Sequence, residues 1–296
     1  MTLSRQQKAY LYAALTVFLW STVASAFKLS LRYTDPLQLL LWADIASIAC
    51  LGMILFFSGN FRLLQKYTRR DMAAAAGLGI LNPFLYYIIL FSAYDLLPAQ
   101  VAQPLNYTWA ITLTLLSIPL LKQKIGIRDA AAILISYFGV VLIATYGRPF
   151  TLEFSSIPGV VLALGSTVIW SLYWIFNTRD KHDPVAGLFL NFVFALPPIF
   201  VACLLFSRPW PIPVYGLAGA FYVGVFEMGI AFVLWLKAMK LTVSAAKIST
   251  LIFFSPFLSL VFISFLVGED IRVSTIIGLM FIVAGNVLQQ TGTNLG

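Results

Sequence analysis

Apolar residues along this chain gather into unbroken blocks of roughly twenty, without the alternation of a half-buried strand or the one-sided stripe of a surface helix. Ten blocks stand out. The first five lie near Tyr10–Lys28, Pro36–Phe57, Ala73–Tyr94, Pro98–Leu121 and Ile127–Tyr146. The second five lie near Pro158–Thr178, Val185–Phe206, Val214–Ala238, Ser244–Val267 and Ser274–Leu288. At a helical rise of about 1.5 Å per residue, each can cross a bilayer core of about 30 Å. The connectors are short and carry turn residues and charge, as in Thr34-Asp35-Pro36, Gly59-Asn60 and Thr178–Pro184. The pattern predicts an all-α polytopic membrane protein with ten transmembrane helices.

Composition agrees: 60% of the 296 residues are hydrophobic and only 10% charged. That excludes an ordinary soluble enzyme, whose charged fraction is about 25%. A net charge of +8 does not indicate nucleic acid, because the basic residues stand scattered between apolar blocks. Cys50 and Cys203 lie within apolar runs and read as packing residues, while the single His182 stands in a polar connector. No metal, cofactor or catalytic cluster is expected from them. Arg5, Lys8 and Val23-Ala24-Ser25-Ala26 imitate a cleavable signal peptide, but the same segment has a counterpart later in the chain, which favours a retained span.

The basic residues also predict orientation. With the N-terminus in the cytoplasm, thirteen face inside: Arg5 and Lys8, the Arg62–Arg70 group, Lys122, Lys124, Arg128, Arg179, Lys181, Lys237 and Lys240. Five face outside: Lys28, Arg32, Arg148, Arg208 and Arg272. Both termini are therefore expected in the cytoplasm.

The two halves look related. Trp20-Ser21 recurs as Trp170-Ser171, Ala93–Ala99 resembles Ala238–Ser244, and Leu120–Ile125 resembles Leu266–Ile271. Each half holds five spans, 1–150 and 151–296, and an odd number forces the second copy to enter from the opposite side. Inverted repeats are a recurring plan of secondary transporters, with the substrate site near the midplane between them.

Polar residues inside spans then become informative, since they are expensive there unless they face a cavity or a partner. Glu227 and Asp44 fall deep in their spans and Lys247 near the end of its own; all three are candidates for coupling or gating. The alternative for Glu227 and Asp44 is an ion pair or interhelical hydrogen bond, and Lys247 can snorkel to the surface. Gln103–Trp109 packs two amides, a phenol, an indole and Pro104 into seven residues. Gln103, Asn106, Tyr107, Ala110, Thr114 and Ser117 follow helical spacing and predict one polar stripe. Ser255 and Ser259 share a face of the ninth span, and Asn82 stands at the repeat counterpart of Glu227. Pro83, Pro104 and Pro256 interrupt spans and are candidate hinges.

Trp20-Ser21 with Lys28, Trp170-Ser171, Ser255-Pro256 and Gly268-Glu269 resemble the drug/metabolite transporter superfamily and its EamA repeat over nearly the whole chain. Asn106-Tyr107-Thr108-Trp109 is similar to the Asn-Tyr-x-Trp element of YddG-type aromatic amino-acid exporters. The chain departs from the family pattern at Ala110, at Gln123 (where the second half keeps Glu269) and at Asp44. The resemblance implies an inner-membrane exporter of amino acids, aromatic and other neutral ones favoured, with a small-molecule substrate and the lipid bilayer as partners and a monomer sufficing. Its cavity would be built from Trp20, Asn82, Tyr86, Gln103, Asn106, Tyr107, Trp109, Trp170, Trp174 and Ser255. The alternatives are an exporter of quaternary cations, sharing that cavity, and an intramembrane enzyme on lipid-linked substrates, for which no paired acid/base groups are seen.

Overall fold

In the computed structural model residues 4–121, 126–150, 154–177, 180–242 and 250–293 are described, and their regular structure is helical. Six helices are long and apolar enough to cross a membrane: α1 (Arg5–Ser30), α2 (Pro36–Phe57), α3 (Arg69–Leu96), α7 (Ile157–Asn177), α8 (Pro184–Phe206) and α9 (Val214–Leu241). The other helices are α4 (Ala99–Asn106), α5 (Trp109–Leu121), α6 (Ile127–Ala144), α10 (Leu251–Val267) and α11 (Val273–Thr293), with shorter apolar stretches: those of α6 and α11 are Ala130–Ala144 and Val273–Leu288. Lys247 lies outside the described residues, as do the side chains of Thr114 and Ser117. The block expected as one span over Pro98–Leu121 is instead two helices, α4 and α5, separated at Tyr107-Thr108.

Local chemistry explains where the helices begin. Asp35 and Asp183 each precede a proline, and each side chain accepts two N–H bonds from the first turn of α2 and α8. A capping carboxylate followed by a proline that needs no donor is a strong start signal. Phe57, Leu205 and Phe206 are 82%, 69% and 80% exposed, which water would penalise and lipid does not.

Side-chain contacts define two ends of the bundle. At one, Arg5 Nη2 donates to the Lys240 carbonyl (3.1 Å), and Lys240 Nζ lies 3.9 Å from Asp183. There His182 stacks on Tyr67, its ring nitrogens 2.6 Å from Asp180 and 3.7 Å from Asp71. Burial, reinforced by Asp180, Asp183 and Asp71, pushes the Tyr67 phenol above its usual range. At the other end, Lys28 Nζ donates to the carbonyls of Tyr94 (2.7 Å) and Leu97 (2.8 Å). Arg32 Nη2 donates to the Val267 carbonyl (2.8 Å), and the Arg272 guanidinium lies 3.7 Å from the Tyr146 ring centroid. The start of α1 thus shares an end with the finish of α9, and its finish shares an end with the finish of α10.

Glycines set the closest approaches. A Cβ on Gly79 of α3 would sit 2.3 Å from the Asn191 carbonyl of α8, and one on Gly224 of α9 would sit 2.2 Å from the Ala43 carbonyl of α2. Gly139 of α6 and Gly278 of α11 each face the other's carbonyl. Small residues at such crossings let membrane helices gain contact where no hydrophobic force draws them together.

Candidate functional site

Two long helices are irregular in mid-course. In α3 the π-helical segment Ile80–Leu85 contains Asn82, which leaves helical geometry (φ −146°, ψ 118°) ahead of Pro83. In α9 a π-helical segment, Val223–Ala231, carries Glu227. Such widened turns are frequent at functional sites because they re-aim side chains and free backbone groups. The third irregularity is the junction of α4 and α5. There Thr108 turns its hydroxyl onto the Leu105 carbonyl (2.7 Å), competing with the helical ladder. The Trp109 carbonyl accepts from Ser171 Oγ (3.1 Å) and the Tyr107 carbonyl from Asn286 Nδ2 (3.5 Å). Side chains of other helices thus satisfy the broken backbone, as a low-dielectric surrounding demands.

A cavity of about 90 Å³ lies among these irregularities, room for about three waters at liquid density. Its wall holds five tryptophans, Trp20, Trp109, Trp170, Trp174 and Trp235, with Tyr86, Tyr94, Tyr107 and Phe27. Tyr86 stacks on Trp170 at 4.6 Å, and Trp20 meets Trp235 at 5.6 Å. Gln103 and Asn106 supply the amides, and Glu227 is the only charged side chain in the wall among the described residues.

The polar groups are anchored. Asn106 Nδ2 donates to Ser166 Oγ (3.0 Å), and its Oδ1 accepts from Tyr86 Oη (3.4 Å). Gln103 Oε1 accepts from Ser259 Oγ. Glu227 Oε1 accepts from Tyr87 Oη (3.2 Å), while Oε2 has no partner among the described residues. Among them the Trp174 indole N–H is likewise unpaired. A carboxylate oxygen and an N–H that share a wall and are both left free can meet a ligand's amine and acceptor groups, among rings that take cations and apolar surface.

Eight of the ten expected cavity residues line this wall, Trp20, Tyr86, Gln103, Asn106, Tyr107, Trp109, Trp170 and Trp174, and so does the coupling candidate Glu227. The cavity candidates Asn82 and Ser255 and the coupling candidate Asp44 lie elsewhere. Asn82 is fully buried and within interaction range of Tyr173. Ser255 is buried behind the wall, beside the Tyr107 phenol. Asp44 is fully buried in α2, and neither carboxylate oxygen is paired among the described residues. Of the candidate hinges, Pro83 lies in the irregular turn of α3, Pro104 inside α4, and Pro256 at the start of a helical segment, where proline is well tolerated. Trp235, Tyr94, Leu90, Phe27 and Val23 are additional wall residues. Helical spacing carried their signal: Trp235 follows Glu227 by two i+4 steps, as Tyr94 follows Tyr86 through Leu90, and Phe27 follows Trp20 through Val23.

The EamA-like transporter family model matches the chain twice, over residues 7–145 and 157–289. The chain belongs to the EamA-like transporter family. Its membership makes this a multi-pass membrane transporter, and a solved crystal structure shares the fold with a TM-score of 0.66 over 97% of both chains at 22% identity. An uncharacterized transporter of Clostridium kluyveri is 26% identical over 96% of this chain and 94% of its own length. A relative named aromatic amino acid exporter YddG, from Ancylobacter novellus, is 30% identical over 55% of this chain and 57% of its own.

Proposed function

We propose that this protein is a secondary transporter exporting amino acids, aromatic and other neutral ones favoured, or similar small amphiphilic metabolites across a bacterial inner membrane. The observation that carries the reading is the aromatic cavity, in which two amides, one carboxylate and three phenols stand among five tryptophans. The amides receive the carboxylate and ammonium groups of the substrate, the rings receive its apolar side chain, and Glu227 serves as counter-charge or proton carrier.

The transport cycle is alternating access between two inverted five-helix repeats, 1–150 and 151–296. Support comes from the double family match and from paired features at a nearly constant offset: Asp35 with Asp183 as caps, Gly79 with Gly224, and Asn82 with Glu227. Crosswise packing of α3 on α8 and of α9 on α2 is what an axis in the membrane plane would produce. Both termini face the cytoplasm by the charge distribution. At about 90 Å³ the cavity is too small for an aromatic amino acid, so loading requires the wall to part.

A second reading, export of organic cations, draws on Glu227 being the wall's only charge among the described residues. Proteoliposome flux of radiolabelled phenylalanine, alanine and a quaternary ammonium, with and without a pH gradient, tests both. Phenylalanine flux that is saturable and lost in Trp170→Ala is expected. Movement of the ammonium alone would sink the amino-acid reading, and gradient-driven flux surviving in Glu227→Gln would remove its role as proton carrier.

A further inference from the structure

The eight-residue helix α4 carries Gln103 and Asn106 to the cavity, yet it begins after Pro98 with no capping side chain of its own. The cap comes from the other half of the molecule. Ala99 N–H donates to Glu269 Oε1 (2.7 Å) and Gln100 N–H donates to Oε2 (3.1 Å). The Gln100 side chain completes the joint. Its Nε2 donates to the Asp270 carbonyl (3.0 Å), and its Oε1 accepts from Arg272 N–H (2.9 Å) and the Thr275 hydroxyl (3.2 Å). One turn further along, Gln103 accepts from Ser259 of α10, so α4 is joined to the second half along its length.

Behind the joint the bundle is filled. Phe27 packs on Phe91 at 4.8 Å and on Tyr94 at 5.2 Å, and Leu97 is 1% exposed. Lys28 ties α1 to the Tyr94 and Leu97 carbonyls just before α4 begins. A substrate leaving the cavity toward this end must separate α4 from the α10–α11 connector, and Glu269 holds that seam. A carboxylate that accepts two N–H bonds at a helix N-terminus also meets the positive end of the helix dipole, and such bonds are about twice as strong as neutral ones.

The repeat register sets Gln123 against Glu269, and Ser244-Ala245 against Ala99-Gln100. Gln123 and Ser244-Ala245 lie outside the described residues. In the first repeat the residue that matches Glu269 is a neutral amide. We propose that Glu269 is a positioning residue that latches α4 across the two halves and keeps the Arg272 end closed at rest. The latch rests on the alternating-access reading, and it would hold an exporter ready to load from the cytoplasm.

Labelling kinetics test the latch without any substrate. The parent carries Cys50→Ala and Cys203→Ala with one reporter, Leu90→Cys, in the cavity wall. An impermeant maleimide is applied to right-side-out and to inverted vesicles, so the Arg272 end is read whichever way the chain faces. Slow labelling from that end is expected in the parent. Glu269→Gln should speed it about tenfold, the scale of one charge-assisted bond lost, and Gln100→Ala should speed it less. If Glu269→Gln elutes and melts like the parent yet labels at the parent's rate, the latch is wrong. Should that variant fail to fold, Glu269→Asp takes its place, with a smaller rise expected and an unchanged rate again decisive against the latch. Separate reporters, Asn60→Cys and Arg208→Cys, give the orientation. Their reversal would overturn the cytoplasmic-termini reading and with it loading from the cytoplasm, while a lack of amino-acid flux would leave the latch result standing.

Discussion

Asn106 holds the two sides of the cavity together, bonding Tyr86 through one amide atom and Ser166 through the other. Removing it leaves a buried hydroxyl on each side without that partner, and a lost partner of this kind costs about 1–3 kcal/mol. Asn106→Ala should therefore raise the KM for export roughly tenfold while the protein still elutes as a folded species. Trp170 acts differently, since its ring lies 4.6 Å from Tyr86 and presents a flat apolar face. Aromatic pairs add about 0.5–1.5 kcal/mol beyond area burial. Trp170→Leu should weaken phenylalanine binding several-fold more than alanine binding in competition assays; equal losses would assign Trp170 to packing alone. Such selectivity lives in side chains, and the motif Gln103–Trp109 supplies four of them, Gln103, Asn106, Tyr107 and Trp109. Tyr94, Trp235 and Phe27 are not legible as wall residues in the sequence, because a Tyr, Trp or Phe on an apolar helix reads as packing until its neighbours are known.

At the scale of elements, capping and close approach can be separated by mutation. Asp35→Ala and Asp183→Ala each remove two N–H bonds at a helix start, and each should cost about 1 kcal/mol, read as a lower melting temperature in detergent. Gly224→Val should cost more, about 1–3 kcal/mol or loss of folding, because the new side chain meets the Ala43 carbonyl. Gly77→Ala is the control, with nothing within 4 Å of its Cβ and a better helix former in place. If Gly224→Val and Gly77→Ala melt alike, α9 does not approach α2 as closely as described here. The break between α4 and α5 was the element least legible beforehand. Pro98–Leu121 has the length and hydrophobicity of one span, and its Pro104 lies three residues before the break; the turn at Tyr107-Thr108 holds because Asn286 and Ser171, distant in sequence, donate to the Tyr107 and Trp109 carbonyls.

For the whole molecule, the asymmetry of basic residues makes a prediction independent of any substrate. Alkaline phosphatase fused after Arg208 should be active outside the cytoplasm, and the same enzyme fused after Lys66 should be inactive; the reverse pattern would invert the orientation. The membrane class, the approximate spans and the twofold internal likeness were all written in the chain, because bilayer thickness imposes a length and a polarity on each segment regardless of its neighbours. Family membership followed the same signals and their short motifs. What tertiary structure alone decided is which polar groups share a space. Asp44 and Glu227 look alike in sequence, each a lone carboxylate deep in an apolar helix, yet Glu227 reaches the cavity and Asp44 is sealed in α2. Glu269 stands at a helix end like any connector residue until the fold lays it on the start of α4, 170 residues away. Hydrophobic length is a property of one segment and can be read locally; a partner across the bundle depends on helix rotation and crossing, which no single segment contains.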